Sequence, residues 1–496
     1  VTVFDAYLKV RAAAEDRALP RASMCHRHLS DEPLVIVTYK LAGDPASPVG
    51  VLVGTDREDP HFFCAPEPRN RDLRFGLINP FAEIVLQYLN GYEPIEGDPG
   101  AMTERPCPQL VVPNTATAQF LEVLGRSIRH PGPAGLIPPT TVQAGRHLAW
   151  FGGQSEHPGQ ALVLPMTDLL CQHWTTGQSA LEDELLAAVL AWVTPGPEGA
   201  AAAAIAAEDG PTAGPASSPQ WDKRHLDPAI SDFNTARNGS TDPSVVDPLA
   251  EEVRAVVRTA LEAAWTDTWT ALDLLRGLPP AAHATARRGR DVEAWERWWR
   301  RSTGDDVRLR NTLSDREAIW LLAEREADTE LVLAQECADD PLRFVAQEVD
   351  GTGVRGDVDY AEPDRRIVPP GRSNRVLRPL IRLRLAHENH RVVAGDSLCW
   401  TERDGGVSMT VLDRDDATMT LEITSGVNRS RGVAPDLPTQ LGRTVRLTSL
   451  SLKKGPVKPL HSLRETWTHR RTEDDVDAIN DVSTDASTPT PATPAS

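Results

Sequence analysis

The apolar positions of this chain change their period twice. Residues 34–64 hold three β-branched runs, Leu34-Val35-Ile36-Val37-Thr38-Tyr39, Val49-Gly50-Val51-Leu52-Val53 and His61-Phe62-Phe63-Cys64. Gly43-Asp44-Pro45 and Asp59-Pro60 punctuate them, the pattern of strands joined by turns. Helical spacing follows. Phe81, Ile84, Val85, Tyr88 and Leu89 form a stripe closed by Gly91, with Asn79 read as N-cap and Pro80 as the first helical residue. Gln109–Val112 predicts a fourth strand and Ala161–Leu164 a fifth, with a helix carrying Phe120, Leu121, Leu124 and Ile128 between them. A capping box, Ser179-Ala180-Leu181-Glu182, opens a last helix over 179–193. The order β-β-β-α-β-α-β-α assigns residues 1–194 to one α/β domain.

Residues 195–247 are rich in alanine and proline and read as a mobile linker. Residues 248–340 read as a helical bundle. Asp247 is taken as the cap of a helix of nearly thirty residues that ends at Gly277, and Ser314-Asp315-Arg316-Glu317 opens another. Trp295, Trp298 and Trp299 cannot share one side of a helix, so one or two are expected in the bundle core and the other on a neighbour. Residues 341–472 switch to period two. Ile381, Leu383 and Leu385 alternate with Arg382 and Arg384, and Val407, Met409, Val411 lead through Asp413–Asp416 into Met419, Leu421, Ile423. That is the pattern of short antiparallel strands with one buried face, hence a small β-barrel-like domain or half-open sandwich. Residues 473–496, acidic and then Thr/Pro/Ala/Ser-rich, are expected to be a disordered tail. The fold class is multidomain α+β.

Charge sharpens the division. Residues 353–472 carry 21 Arg and Lys against 14 Asp and Glu, net +7, while the whole chain is −19. The acidic balance argues against coating nucleic acid or anionic membrane as a whole. Lysine is nearly absent, with six against 46 arginines, and none lies in GxxxxGK[ST], so no P-loop motor is expected. The six cysteines are scattered without a CxxC pair, the usage of a reducing cytoplasm. No apolar run approaches the roughly 18 residues of a membrane span. The location is therefore expected to be cytoplasmic, with no membrane partner. Val1-Thr2 reads as the literal translation of a GTG start codon.

The strongest functional candidate is the basic β domain. Arg378, Arg382 and Arg384 share strand parity, and Lys453, Lys454 and Lys458 add a basic loop, a composition suited to phosphate contacts. A solvated strand face, or one docked on acidic neighbours, is the simpler alternative. Arg69, Arg71 and Arg74 precede the Asn79 helix start and form a weaker candidate anion clamp, with an internal salt-bridge network as the simpler account. Cys25-His26-Arg27-His28 lacks a second ligand pair and reads as an exposed cluster. His387-Glu388-Asn389-His390 is not HExxH on a helix, and Gly152-Gly153-Gln154-Ser155 is not GxSxG and reads as a turn. No metal site and no cofactor are expected.

The N-terminal element order resembles the ribonuclease H-like fold over residues 33–193. Active nucleases of that fold hold two metal ions with acidic residues on the first strand, yet Leu34–Tyr39 contains no carboxylate. Asp56, Asp72, Asp168, Glu182 and Asp183 show no metal-ligand spacing. The expectation is a non-motor accessory or scaffold protein that contacts DNA or RNA, or a protein partner such as an ATPase or helicase, through the β domain. Two alternatives stand beside it: a metal-dependent nuclease or other hydrolase with its site in the N-terminal domain, and a scaffold that binds protein only. No catalytic residue is identified.

Overall fold

The computed structural model describes residues 2–41, 45–94, 105–132, 135–211, 213–214, 219–303, 313–369, 371, 373–388, 391–403, 406–427 and 437–454. It is mixed α+β: a sheet-and-helix region, a helical middle and a closed six-stranded β-barrel.

Helix α1 (Val3–Glu15) precedes a five-stranded sheet built from β1 (Leu34–Lys40), β2 (Pro48–Gly54), β3 (His61–Cys64), β4 (Leu110–Val112) and β5 (Val163–Pro165). Its spatial order is β3-β2-β1-β4-β5. β1–β2 and β2–β3 are antiparallel, while β1–β4 and β4–β5 are parallel. β1 and β2 are buried nearly end to end because both sheet faces are covered.

On one face lie α2 (Arg71–Asn90), α3 (Thr115–Ile128) and α4 (Pro139–Gln154), packing Phe81, Leu121 and Phe151 against Ile36, Val53 and Val112. The other face is covered by α5 (Met166–His173), α6 (Leu186–Val193) with α7 (Ala200–Glu208) packed on it, α8 (Asp227–Gly239) and the 34-residue α9 (Pro243–Arg276). Val253, Val257, Leu261 and Trp265 of α9 share a core with Val35, Val37, Tyr39 and Leu52. Gly50 permits this approach, since a Cβ there would stand 2.3 Å from Val257 Cγ1. The long helix expected in a separate bundle is thus part of the sheet's own core.

The chain continues through α10 (Ala282–Ser302), α11 (Asp315–Asp339) and α12 (Pro341–Val349). Trp295 and Trp299 of α10 are buried among Phe151, Leu162 and Val163, and Trp298 stacks on Trp150 at 5.5 Å and 2°. All three tryptophans ring His147, which is fully buried. Their core is the sheet, not a bundle. Residues 310–327 and 455–496 form a second unit, whose described part is the start of α11, opened by reciprocal Ser314–Glu317 hydrogen bonds as the capping box predicts.

The barrel comprises β6 (Gly353–Glu362), β7 (Leu380–Leu385), β8 (Ser397–Trp400), β9 (Val407–Arg414), β10 (Thr418–Ile423) and β11 (Thr444–Thr448). It closes in the order β7-β10-β9-β8-β11-β6 with every pairing antiparallel. Ile381, Leu383, Met409, Leu421 and Leu447 fill it, as period two requires. Asp415 accepts from the backbone of Ala417 (2.8 Å) and Thr418 (2.6 Å) and so makes the β9–β10 turn.

Several expectations are corrected. Helix α2 starts at Arg71 with Asn70 as cap, so Asn79 and Pro80 lie inside it, and Asn79 Oδ1 accepts from Thr141. α9 starts at Pro243 under Asp242, nearer the N-terminus than Asp247. Gly152 and Gly153 end a helix, and a Cβ on Gly152 would meet Glu122 of α3, so the glycine serves helix contact. The described part of residues 195–247 is largely helical rather than a mobile linker. The alanine tract is helix α7, with Ala200 and Ala204 buried against Ala188 and Trp192, and Leu226, Ala229 and Phe233 enter the core under α9.

Candidate functional site

The barrel places the candidate arginines outward, but against carboxylates. In β7 the apolar side chains turn in, so Arg382 and Arg384 project to solvent. Arg382 opposes Tyr360 and Leu383 opposes Val358, which makes Asp359 the extra residue of a bulge on β6. Its carboxylate lies 2.9 Å from Arg382 Nε, and Asp357 is 3.7 Å from Arg384. Arg382 also stands over the Tyr360 ring at 5.8 Å. Arg378 precedes β7. It is half-buried, donates to Thr424 O, and shares Glu422 with Arg365 at 3.7 and 2.7 Å. Lys454 meets Asp328 at 3.0 Å, Lys453 is exposed, and Lys458 lies outside the described residues. Sequence parity found the arginines. Their partners on β6 were hidden, because cross-strand register does not show in the sequence.

Arg69, Arg71 and Arg74 do not converge on Asn79. Arg71 covers Phe75, Arg74 donates to Ser47 Oγ and Pro68 O, and the Arg69 amide is held by Glu67. The helix that these arginines were expected to precede starts at Arg71, so Arg71 and Arg74 lie within its first residues and Arg69 just before its Asn70 cap.

The carboxyl ends of parallel strands are where open α/β sheets place ligands. Here β4 and β5 end at a cavity of about 500 Å³ lined by Asn114, Thr115, Gln119, Asp168, Glu184 and Leu185, among others. Asn114 caps α3 and donates to Gly214 O at 2.7 Å, and Thr115 donates to Asp168 at 2.5 Å. Tyr39, at the carboxyl end of β1, donates to Asp222. Gly214 and Asp222 are thereby tied to the strand ends. Asp183 does not join Asp168. It accepts from Thr176 and Gln178 and lies 3.8 Å from Lys9. Among the described residues no three His, Cys, Asp or Glu side chains are grouped to hold a metal ion.

The Cys25–His28 segment corrects another expectation: Cys25 and His26 are buried. His26 Nε2 donates to Asp340 Oδ2 at 3.1 Å, its amide donates to His173 Nε2, and Arg287 donates to its carbonyl at 2.7 Å. Arg27 and Arg343 flank Glu336 at 3.4 and 3.1 Å. Burial works to raise Glu336, but the arginines hold it below the usual carboxylate range. This polar junction fastens α11 and α12 to the sheet region, and sequence reasoning missed it because its halves lie about three hundred residues apart. His387 sits 3.3 Å from Arg355, and His390 lies outside the described residues.

Thiol chemistry finds no activated group. Burial pushes Cys64, Cys171 and Cys337 up to about 12, and Cys25, Cys107 and Cys399 are also raised. Among the described residues no helix is long and apolar enough to cross a membrane. No family model, curated protein or solved structure matches the chain.

Proposed function

We propose that this chain is a non-motor, non-catalytic accessory protein whose barrel docks on a protein partner through a charge-balanced face. The carrying observation is the row of charges on β6 and β7: Arg382 beside Asp359 and Arg384 beside Asp357, with the Tyr360 ring under Arg382. Polyanion affinity rises with the number of phosphates neutralised by cations, and here each guanidinium already faces its own carboxylate. Paired charges with exposed arginine and tyrosine suit a complementary protein surface better. Raised thiols and a first strand without a carboxylate support the non-catalytic part. The test is affinity purification of wild type and the Arg382→Glu/Arg384→Glu variant at low salt. A discrete protein partner lost in the variant supports the reading; salt-sensitive DNA or RNA lost in its place overturns it.

A second reading, a hydrolase, has the cavity with Asp168 and Glu184 in its favour. It predicts hydrolytic activity that disappears on Asp168→Ala.

A further inference from the structure

The outer edge of β3 is open. Among the described residues β3 pairs with β2 through four residues and with no strand on its other side. Such edges are usually blunted by a lysine, a proline or a bulge within the strand. His61–Cys64 contains no lysine or proline and its register is unbroken.

Beside this edge lies a groove of about 480 Å³ between α2 and α9, lined by Phe62, Phe63, Gly76, Glu251, Arg254 and Arg258, among others. The two walls differ. Phe62 and Cys64 pack toward the α9 side, where Arg258 stands 4.8 Å over the Phe62 ring and Arg254 is exposed. These arginines contact Glu251 and Glu262 only through exposed pairs on their own helix, and such pairs exchange readily for another carboxylate. Phe63 packs toward the α2 side. There Gly76 leaves open space: beyond its own chain neighbours and helix backbone, nothing lies within 4 Å of where a Cβ would be.

We propose that this groove receives an extended segment of a partner protein, added to β3 as a sixth strand. Side chains of a strand alternate between faces. Alternate acidic residues therefore meet Arg254 and Arg258, and the intervening apolar residues fill the space over Gly76 and Phe63. Main-chain hydrogen bonds supply affinity and the two unlike walls supply specificity. The inference is independent of the barrel reading, because it uses a different surface.

The probes are fluorescent acetyl-(Val-Glu)4-amide, its (Val-Lys)4 counterpart, and the glutamate peptide N-methylated at every amide. Binding is read by anisotropy on the full chain, together with amide exchange at His61–Cys64. The glutamate peptide should bind and slow exchange there, the lysine peptide should bind about tenfold more weakly or worse, and the methylated peptide should not bind. Gly76→Leu and Arg254→Gln/Arg258→Gln should each remove binding while the melting temperature changes little, since both sites are exposed. Equal binding of the lysine or methylated peptide overturns the proposal. So does absence of binding at about 1 mM peptide. Concentration-dependent self-association that protects His61–Cys64 overturns it in favour of a second copy as occupant.

Discussion

His26 and Asp340 stand 314 residues apart in the chain and meet with both side chains closed to solvent, Nε2 3.1 Å from Oδ2. Asp340 also accepts from Ser23 N (2.6 Å), Ser23 Oγ (2.8 Å), Met24 N (3.2 Å) and Leu342 N (2.9 Å). One carboxylate thus caps α12 and anchors the amino-terminal segment.

Asp340→Asn should cost about 3 kcal/mol at neutral pH, the scale of removing one charge from a buried hydrogen-bonded pair. Burial acts to raise this carboxyl, but the donors from His26, Ser23 and the backbone outweigh it and hold it far below the usual range. Its contribution is therefore complete above the unfolded-state value of about 4 and is lost as the pH falls below that. Urea denaturation should show a gap between wild type and variant that narrows at about pH 3.

A second acid limb should begin at higher pH. Burial lowers His28, His147 and His173 to about 4. Native imidazoles below the unfolded value of about 6.5 bind fewer protons than the unfolded chain. Stability is thus lost as the pH falls from about 6.5 toward 4. Melting temperatures should decline across that window, and His147→Gln should make the decline shallower.

Trp298 Nε1 donates to His147 Nδ1 at 3.1 Å. Trp298→Phe keeps an aromatic ring against Trp150 but leaves a buried nitrogen without its donor, a loss of about 1–2 kcal/mol that chemical denaturation will measure.

Gly50→Ala should destabilise by about 2 kcal/mol through collision with Val257. Val257→Ala alone should cost about 1–2 kcal/mol by leaving a cavity. Together they should cost less than their sum. Additive losses in the double-mutant cycle would mean that α9 does not press on β2.

On the barrel, Glu422→Ala should cost about 2 kcal/mol, because it strands Arg365 and Arg378 on a shielded site. Arg382→Ala, in an exposed pair, should leave the denaturation midpoint essentially where it is.

The central strands and the barrel core were legible in the sequence because their apolar residues repeat at strand period: Val35 and Val37 on one side, Ile381 and Leu383 inside. Element ends were less so. Asn79-Pro80 imitates a helix start, while the charged turn from Arg71, capped by Asn70, looks like a loop. Gly152 suggests a turn, but together with Gly125 and Gly145 it lets α3 and α4 touch. The alanine tract looks unstructured until its small side chains are seen to nest on α6. Of the candidate site, strand parity revealed which arginines face outward. It did not reveal Asp357 and Asp359 beside them, nor that His26 is buried against Asp340, the cap between α11 and α12.

The sheet's second apolar face is finished by a helix ending at Arg276. During translation, strands completed by Pro165 wait for more than a hundred further residues before that face can seal. A nascent chain in this interval shows ribosome-side factors a broad greasy surface, and a stop anywhere before α9 releases a product prone to aggregate.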